Sequence, residues 1–278
     1  MRDYGSIFNM GPGISSFSAQ ALAEIKARCF RQMLSMYKSA NAGHIGSGLS
    51  CLEILVYLYC YRMAPEDVCI LSKGHAAAAL YTVLAECGRL PAAELETYYK
   101  DGTSLAAHPP CHRGIADIPF GTGSLGHGLS VATGIAYAAR YKKEAKQVYC
   151  VVSDGDCNEG STWEAFWFAA HHQLDNLTII VDQNGLQGLG TTEEVLNYGP
   201  MAPKLESANI HVGTALNGNN FGSLHVTFEG LTDKKGPKCI IANTTKGAGV
   251  SYMENEMKWH YLPMNDAQYQ EAMNTLEG

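Results

Sequence analysis

What the chain has little of narrows it first. Charge is scarce: Asp, Glu, Lys and Arg make up 17% of its 278 residues. Basic residues are the scarcer kind, 20 Lys and Arg against 27 Asp and Glu, for a net charge of -7. A nucleic-acid binder turns a basic face to the phosphates, so this balance argues against nucleic acid as a partner. The nine cysteines are an odd number, include no C-x-x-C pair and sit mostly in apolar runs. That argues against a zinc site or a disulfide frame, and reads as reduced thiols of a cytoplasmic protein. Long apolar runs are missing too. The longest stretch, Leu52 to Tyr61, contains Glu53 and is too short to span a bilayer, so no membrane partner is expected. The first ten residues lack a charged stretch followed by an apolar one, and no signal peptide is expected. Internal repeats, low-complexity tracts and long linkers are absent from the sequence.

What is present is core-forming material, 46% apolar, in an alternating pattern. Apolar positions at helical spacing (Leu22, Ile25, Cys29, Met33, Met36, Tyr37) predict a helix from Ala19 to Ser39, with Ser18 as its N-cap. A second helix is expected after Ser50 through Leu58. Asp67 to Leu71 reads as a short buried strand, and His75 to Glu86 as an alanine-rich helix. Pro91 opens a short helix to about Tyr99. Thr103 to Gly123 reads as irregular loop and Leu125 to Lys142 as a small-residue helix. Strands follow at Val148 to Ser153, Leu177 to Val181, Ile210 to Ala215 and Cys239 to Asn243. Helices are expected at Glu159 to His172, Met201 to Ser207, Gly222 to Leu231 and Asp266 to Leu276. Such alternation implies an α/β fold: a mostly parallel sheet with helices on both faces, in one domain over residues 1–278.

Ligands of open α/β sheets bind beyond the carboxyl ends of the strands, and polar motifs cluster there. Val148 to Gly160 is an apolar strand running into a polar, glycine-bearing turn. Asp154 stands at the strand's end, and Gly155 lets the backbone approach an anion. The strand Leu177 to Val181 ends in Asp182-Gln-Asn-Gly-Leu-Gln187. If these strands are neighbours, Asn184 and the Leu186 carbonyl lie beside Asp154. One carboxylate, one amide oxygen and one backbone oxygen leave room for diphosphate oxygens and a water. That is an oxygen-only site for Mg²⁺, or for Ca²⁺ or Mn²⁺ in its place.

Here a family resemblance becomes plain. Asp154-Gly-Asp-Cys-Asn-Glu-Gly160, Ala169-Ala-His-His-Gln-Leu-Asp-Asn-Leu177 and Asn184-Gly-Leu-Gln187 resemble the thiamine diphosphate signature of transketolases. Ala42-Gly-His-Ile-Gly46, Leu71-Ser-Lys-Gly-His75 and His108-Pro109 resemble that family's first three histidine motifs. Thr122-Gly-Ser-Leu-Gly-His-Gly128 resembles its glycine-rich cofactor loop. Lys246 to Glu254 with Trp259-His260 resembles its last motif. The resemblance implies roles. Asp154, Asn184 and the Leu186 carbonyl would hold the metal. Gly155, His75 and His260 would contact the diphosphate of thiamine diphosphate, with Gly123 and Leu125 against the cofactor's rings. His44, His108 and His260 would face a sugar or ketose substrate as the catalytic histidines, since histidine titrates near working pH. Glu159 and Glu164 match carboxylates at the family's subunit interface, Glu159 next to the cofactor.

The resemblance also implies something missing. Full-length transketolases carry a second domain that binds the aminopyrimidine ring and supplies an activating glutamate. This chain has no length for it. A separate C-terminal pyrimidine-binding subunit is therefore expected, paired two-plus-two as a heterotetramer with the cofactor at the interface. The expected activity is transfer of a two-carbon ketol unit from a ketose to an aldose or aldehyde, only with that partner. Exposed aromatic surface should mark the interface. Alternatives are a 1-deoxyxylulose-phosphate synthase-like or 2-oxoacid dehydrogenase-like subunit, or a Mg²⁺-dependent phosphatase using Asp154 and Asp156. His112, His171, His172, His211 and His225 read as structural, and His127 as secondary. Trp163 and Trp167 read as core or interface residues. Asn219 or Asn220 is expected to cap the next helix.

Overall fold

The computed structural model describes residues 16–111 and 114–275. His112 and Leu276, named above, lie outside the described residues. Five strands form one wholly parallel sheet: β1 (Val68–Leu71), β2 (Val148–Ser153), β3 (Leu177–Gln183), β4 (His211–Ala215) and β5 (Lys238–Asn243). Their order is β1-β2-β3-β5-β4. β2 and β3 are buried along nearly their whole length, which is why their sequences are continuous apolar runs without alternation.

Helices cover both faces. They are α1 (Ala19–Ala40), α2 (Ile45–Ser50), α3 (Leu52–Tyr57), α4 (Ala77–Glu86), α5 (Gly128–Tyr141), α6 (Gly160–His171), α7 (Thr192–Leu196), α8 (Met201–Ser207), α9 (Phe221–Leu231) and α10 (Asp266–Asn274). Two apolar layers result. One packs α1, α3, α4 and α9 against one sheet face; the other packs α5, α6 and α8 against the opposite face. Caps set several boundaries. Ser18 accepts from the Ala21 amide to start α1, and Asn220 accepts from Ser223 to start α9. Thr191 with Glu194 and Asn265 with Gln268 form capping boxes on α7 and α10.

The parallel sheet agrees with the pattern of the sequence, with local corrections. The helix expected after Ser50 is α3, continued by a π turn from Leu58 to Arg62, and a further short helix, α2, precedes it. The short helix after Pro91 is a 3₁₀ turn, Ala92–Thr97. α5 begins at Gly128 and not at Leu125, because Asp156 holds the Gly126 amide at 2.8 Å within the preceding loop. β3 runs on through Gln183, since its last residues pair with Ala242 and Asn243 of β5.

Candidate active site

The paired register places the expected turn residues side by side. Ser153 of β2 lies opposite Asp182 of β3, so Asp154 and Asn184 leave the sheet at the same edge. The buried Asp154 carboxylate accepts from the Asn184 and Gly185 amides, each at 2.9 Å, and from the Tyr198 hydroxyl at 3.2 Å. The Asn184 side-chain oxygen accepts from the Leu186 amide at 3.1 Å, and the Leu186 carbonyl accepts from Lys246 Nζ at 3.3 Å. Burial, then the nearby charge of Asp182, raises the Asp154 carboxyl to about 6. The two amides fill Asp154 Oδ2, whereas Asp154 Oδ1, the Asn184 oxygen and the Leu186 carbonyl each accept one bond and keep a second lone pair. The donor set is oxygen only, which suits a hard cation. Among the described residues no group of three or more His, Cys, Asp and Glu side chains could hold a metal. A cation here must therefore complete its shell from ligand oxygens or water, as Mg²⁺ beside a diphosphate does.

Around this edge the chain assembles four histidines from distant segments. His44 precedes α2, His75 sits in the 3₁₀ turn Gly74–Ala76, His108 in the loop, and His260 in the turn Met257–His260. His44 is the hub. Its ring centroid lies 5.4 Å from His75, 5.9 Å from His108 and 4.9 Å from His260. His75 and His260 are 5.3 Å apart. The backbone locks this cluster. His44 adopts φ 67, and its amide donates to the His260 carbonyl at 3.1 Å. The Tyr81 hydroxyl donates to the His108 carbonyl at 3.1 Å. Gly123, at φ +152, packs so closely that a Cβ would stand 3.0 Å from the His108 ring.

All four imidazoles are held neutral. Burial, then His108 and Lys246, lowers His44 to about 4. Burial, then Lys246 and His44, lowers His260 to about 3. Burial pushes His75 far down, with Lys73 adding to it, and lowers His108. A neutral imidazole offers one donor and one acceptor, which fits sugar hydroxyls and carbonyls. His44 Nδ1 is buried without a protein hydrogen-bond partner.

The glycine-rich loop closes on the turn that follows β2. A Cβ on Gly155 would stand 2.7 Å from Leu125 Cδ1, and one on Gly126 would stand 2.5 Å from the Glu159 Cβ. Leu125 therefore lies against Gly155, and Gly126 against Glu159. Glu159 and Glu164 are solvent-exposed. Asp156 has a different place from Asp154. Its carboxylate, fully buried, takes the Gly126 and Ser153 amides at 2.8 and 2.9 Å and the Ser72 and Ser153 hydroxyls at 2.6 and 3.0 Å. Four donors spend its acceptor capacity inside the fold, which leaves no second acid for a phosphatase pair.

Three residues carry weight that the sequence alone did not give them. Lys73 and Asp182 form an ion pair buried beneath the site, with side-chain exposures of 1% and 0%. Ser50 donates to Asp182 at 2.6 Å, Thr244 donates to it as well, and Lys73 donates to the Ser47 carbonyl at 2.9 Å. Burial opposes both charges, but each partner outweighs it, holding Lys73 up and Asp182 down. Lys246 lies in the site itself, 3.1 Å from His260 Nδ1, which it donates to. Its motif was visible, but only the fold shows that it bridges His260 and the Leu186 carbonyl. His171 and His172 lie on α6 away from the cluster, His172 against Tyr137 and Phe168.

Comparison with known proteins agrees with this geometry. The family model described as "Transketolase, thiamine diphosphate binding domain" matches residues 25–277. The chain is 39% identical over 256 residues to an apulose-4-phosphate transketolase subunit of Actinobacillus succinogenes, covering 87% of this chain and 92% of that one. It is 34% identical to a 6-deoxy-6-sulfo-D-fructose transketolase subunit of a Clostridium species, covering 85% and 89%. Among solved structures, a transketolase from Campylobacter jejuni superposes with a TM-score of 0.85 at 26% identity, covering 94% of this chain and 43% of that one. The chain thus spans about two fifths of full-length transketolases and nearly all of the relatives that are single subunits. It belongs to the transketolase family, as a chain built of the family's N-terminal thiamine diphosphate binding domain.

Proposed function

We propose that this chain is the thiamine diphosphate and Mg²⁺ half of a two-subunit transketolase that moves a two-carbon ketol unit from a ketose to an aldose or aldehyde acceptor. The observation that carries the reading is the meeting of the Asp154, Asn184 and Leu186 oxygens with four neutral histidines at one sheet edge. Asp154, Asn184 and the Leu186 carbonyl hold the metal. His75, His260 and Gly155 face the diphosphate, and Gly123 and Leu125 form the wall for the rings. When bound, the cofactor supplies the electron sink for carbon–carbon cleavage. The chain's own residues orient and exchange protons. His44, with its free Nδ1, and His108 bind substrate hydroxyls and carry protons at those oxygens. His260 is fixed by Lys246, whose donation to Nδ1 leaves the proton on Nε2, facing away from the lysine.

The partner half of the reading is supported by surface. α6 carries exposed Trp167 and Phe168 one turn beyond exposed Glu164, and Tyr141 at the end of α5 is 83% exposed. Leu189 and Tyr261 beside the site are exposed too, and the Tyr261 hydroxyl donates to the Gly188 carbonyl at 2.6 Å. Apolar surface of this kind marks an interface, here with a subunit bearing the pyrimidine-binding domain. The Actinobacillus and Clostridium relatives are themselves named as subunits, which is consistent with a partner chain in those proteins. Among the described residues no helix is long and apolar enough to cross a membrane. Calorimetry of thiamine diphosphate with Mg²⁺ on the assembled complex tests the site. Asp154→Ala should abolish metal-dependent binding, and unchanged affinity would sink the assignment.

A further inference from the structure

Cys60 and Cys87 stand apart from the other cysteines. All nine are free thiols, but these two sulfurs are 2.9 Å apart, and no other pair of described cysteine sulfurs makes such a contact. They come from different elements. Cys60 lies in the π turn Leu58–Arg62 that widens the end of α3, and Cys87 is the C-cap of α4. Wide π turns often occur at functional positions. The two residues are 27 apart in sequence, so only the packing of α3 on α4 brings them together. Disulfide bonding would need the sulfurs to close by about 0.9 Å, to the roughly 2.05 Å of an S–S bond. Cys87 is half-buried at the rim, and Cys60 is 7% exposed behind it. This is the arrangement of an attacking and a resolving thiol.

We propose that Cys60 and Cys87 form a reversible dithiol–disulfide site, oxidised by low-molecular-weight disulfides of the glutathione class. The Cys87 thiolate attacks one sulfur of the small disulfide, and a small thiolate leaves. The Cys60 thiolate then attacks the Cys87 sulfur of the mixed disulfide, and the second small thiolate leaves. The two protons lost by the cysteines are taken up by the two departing thiolates. One disulfide is consumed and one is formed, and excess reduced thiol reverses both steps. The bond ties the π turn to the end of α4, whose opposite end continues from the His75 turn. It constrains the unfolded chain and so stabilises the oxidised form.

The test is incubation of the whole chain with oxidised glutathione, alkylation of remaining thiols, proteolysis and mass spectrometry. The expected result is a peptide pair joined through Cys60 and Cys87, lost on reduction, with a melting temperature several degrees higher in the oxidised chain. Cys87→Ser should leave Cys60 alkylatable and abolish the rise. Both cysteines remaining alkylatable in the wild type, while exposed Cys111 alone is glutathionylated, would overturn the proposal. So would a stable mixed disulfide at Cys87 that never resolves.

Discussion

At the scale of single residues, the site combines neutral bases with a buried ion pair, and each has its own pH window. His44 is lowered to about 4, against an ordinary value near 6.5 in the unfolded chain. Between those values the unfolded chain binds a proton that the folded chain does not. Stability is therefore complete above about pH 6.5 and falls as pH drops toward 4. His75, His108 and His260 are shifted the same way and act with it. The melting temperature of the chain without ligands should fall between pH 7 and pH 5, and His44→Gln should flatten that fall. An unchanged slope would contradict the burial of a neutral imidazole. Asp182 is different. Its carboxyl is held below the ordinary range, so its contribution is present above the unfolded value and is lost only as pH falls through the lower folded value. Lys73→Met strands that carboxylate and should cost about 3–5 kcal/mol in urea unfolding, while Lys73→Met with Asp182→Leu should cost much less. Equal losses would show that the pair is not coupled.

At the scale of elements, loops are held by backbone approaches that only glycine permits. Gly123→Ala puts a methyl 3.0 Å from the His108 ring and strains a φ of +152. It should lower ketol transfer by the complex at least about tenfold with a modest loss of stability, because a misplaced group costs rate more than fold. Activity near wild type would remove His108 from the reaction. These approaches also explain what was legible in the sequence. Asp154, Asn184 and the histidine motifs were readable because each sits in a short, unusual string of residues. β2 and β3 were readable because a strand buried on both faces is a continuous apolar run. The Lys73–Asp182 pair was not, because 109 residues separate its members and only the parallel crossover brings them together. Nor was the extension of the loop to Gly128, which depends on a carboxylate 30 residues downstream of Gly126. Asp156 entered only the phosphatase alternative, and spacing alone cannot show the four donors closing around it.

At the scale of the whole molecule, the proposed partner subunit would meet an exposed apolar face. Trp167 is 60% exposed and shares the outer face of α6 with Glu164. Trp167→Ser should leave the chain's own unfolding within about 0.5 kcal/mol of wild type, as for other exposed positions. It should weaken association with the pyrimidine-binding subunit by tenfold or more, as loss of an interface aromatic does. Sedimentation of the two subunits measures this, and an unchanged association constant would place the interface elsewhere. The most direct test of the divided site is the ketol-transfer rate with thiamine diphosphate and Mg²⁺, measured on this chain alone and after co-expression with the adjacent gene product. Turnover only in the mixture is the expected result. Full turnover by this chain alone would contradict a site shared between two subunits.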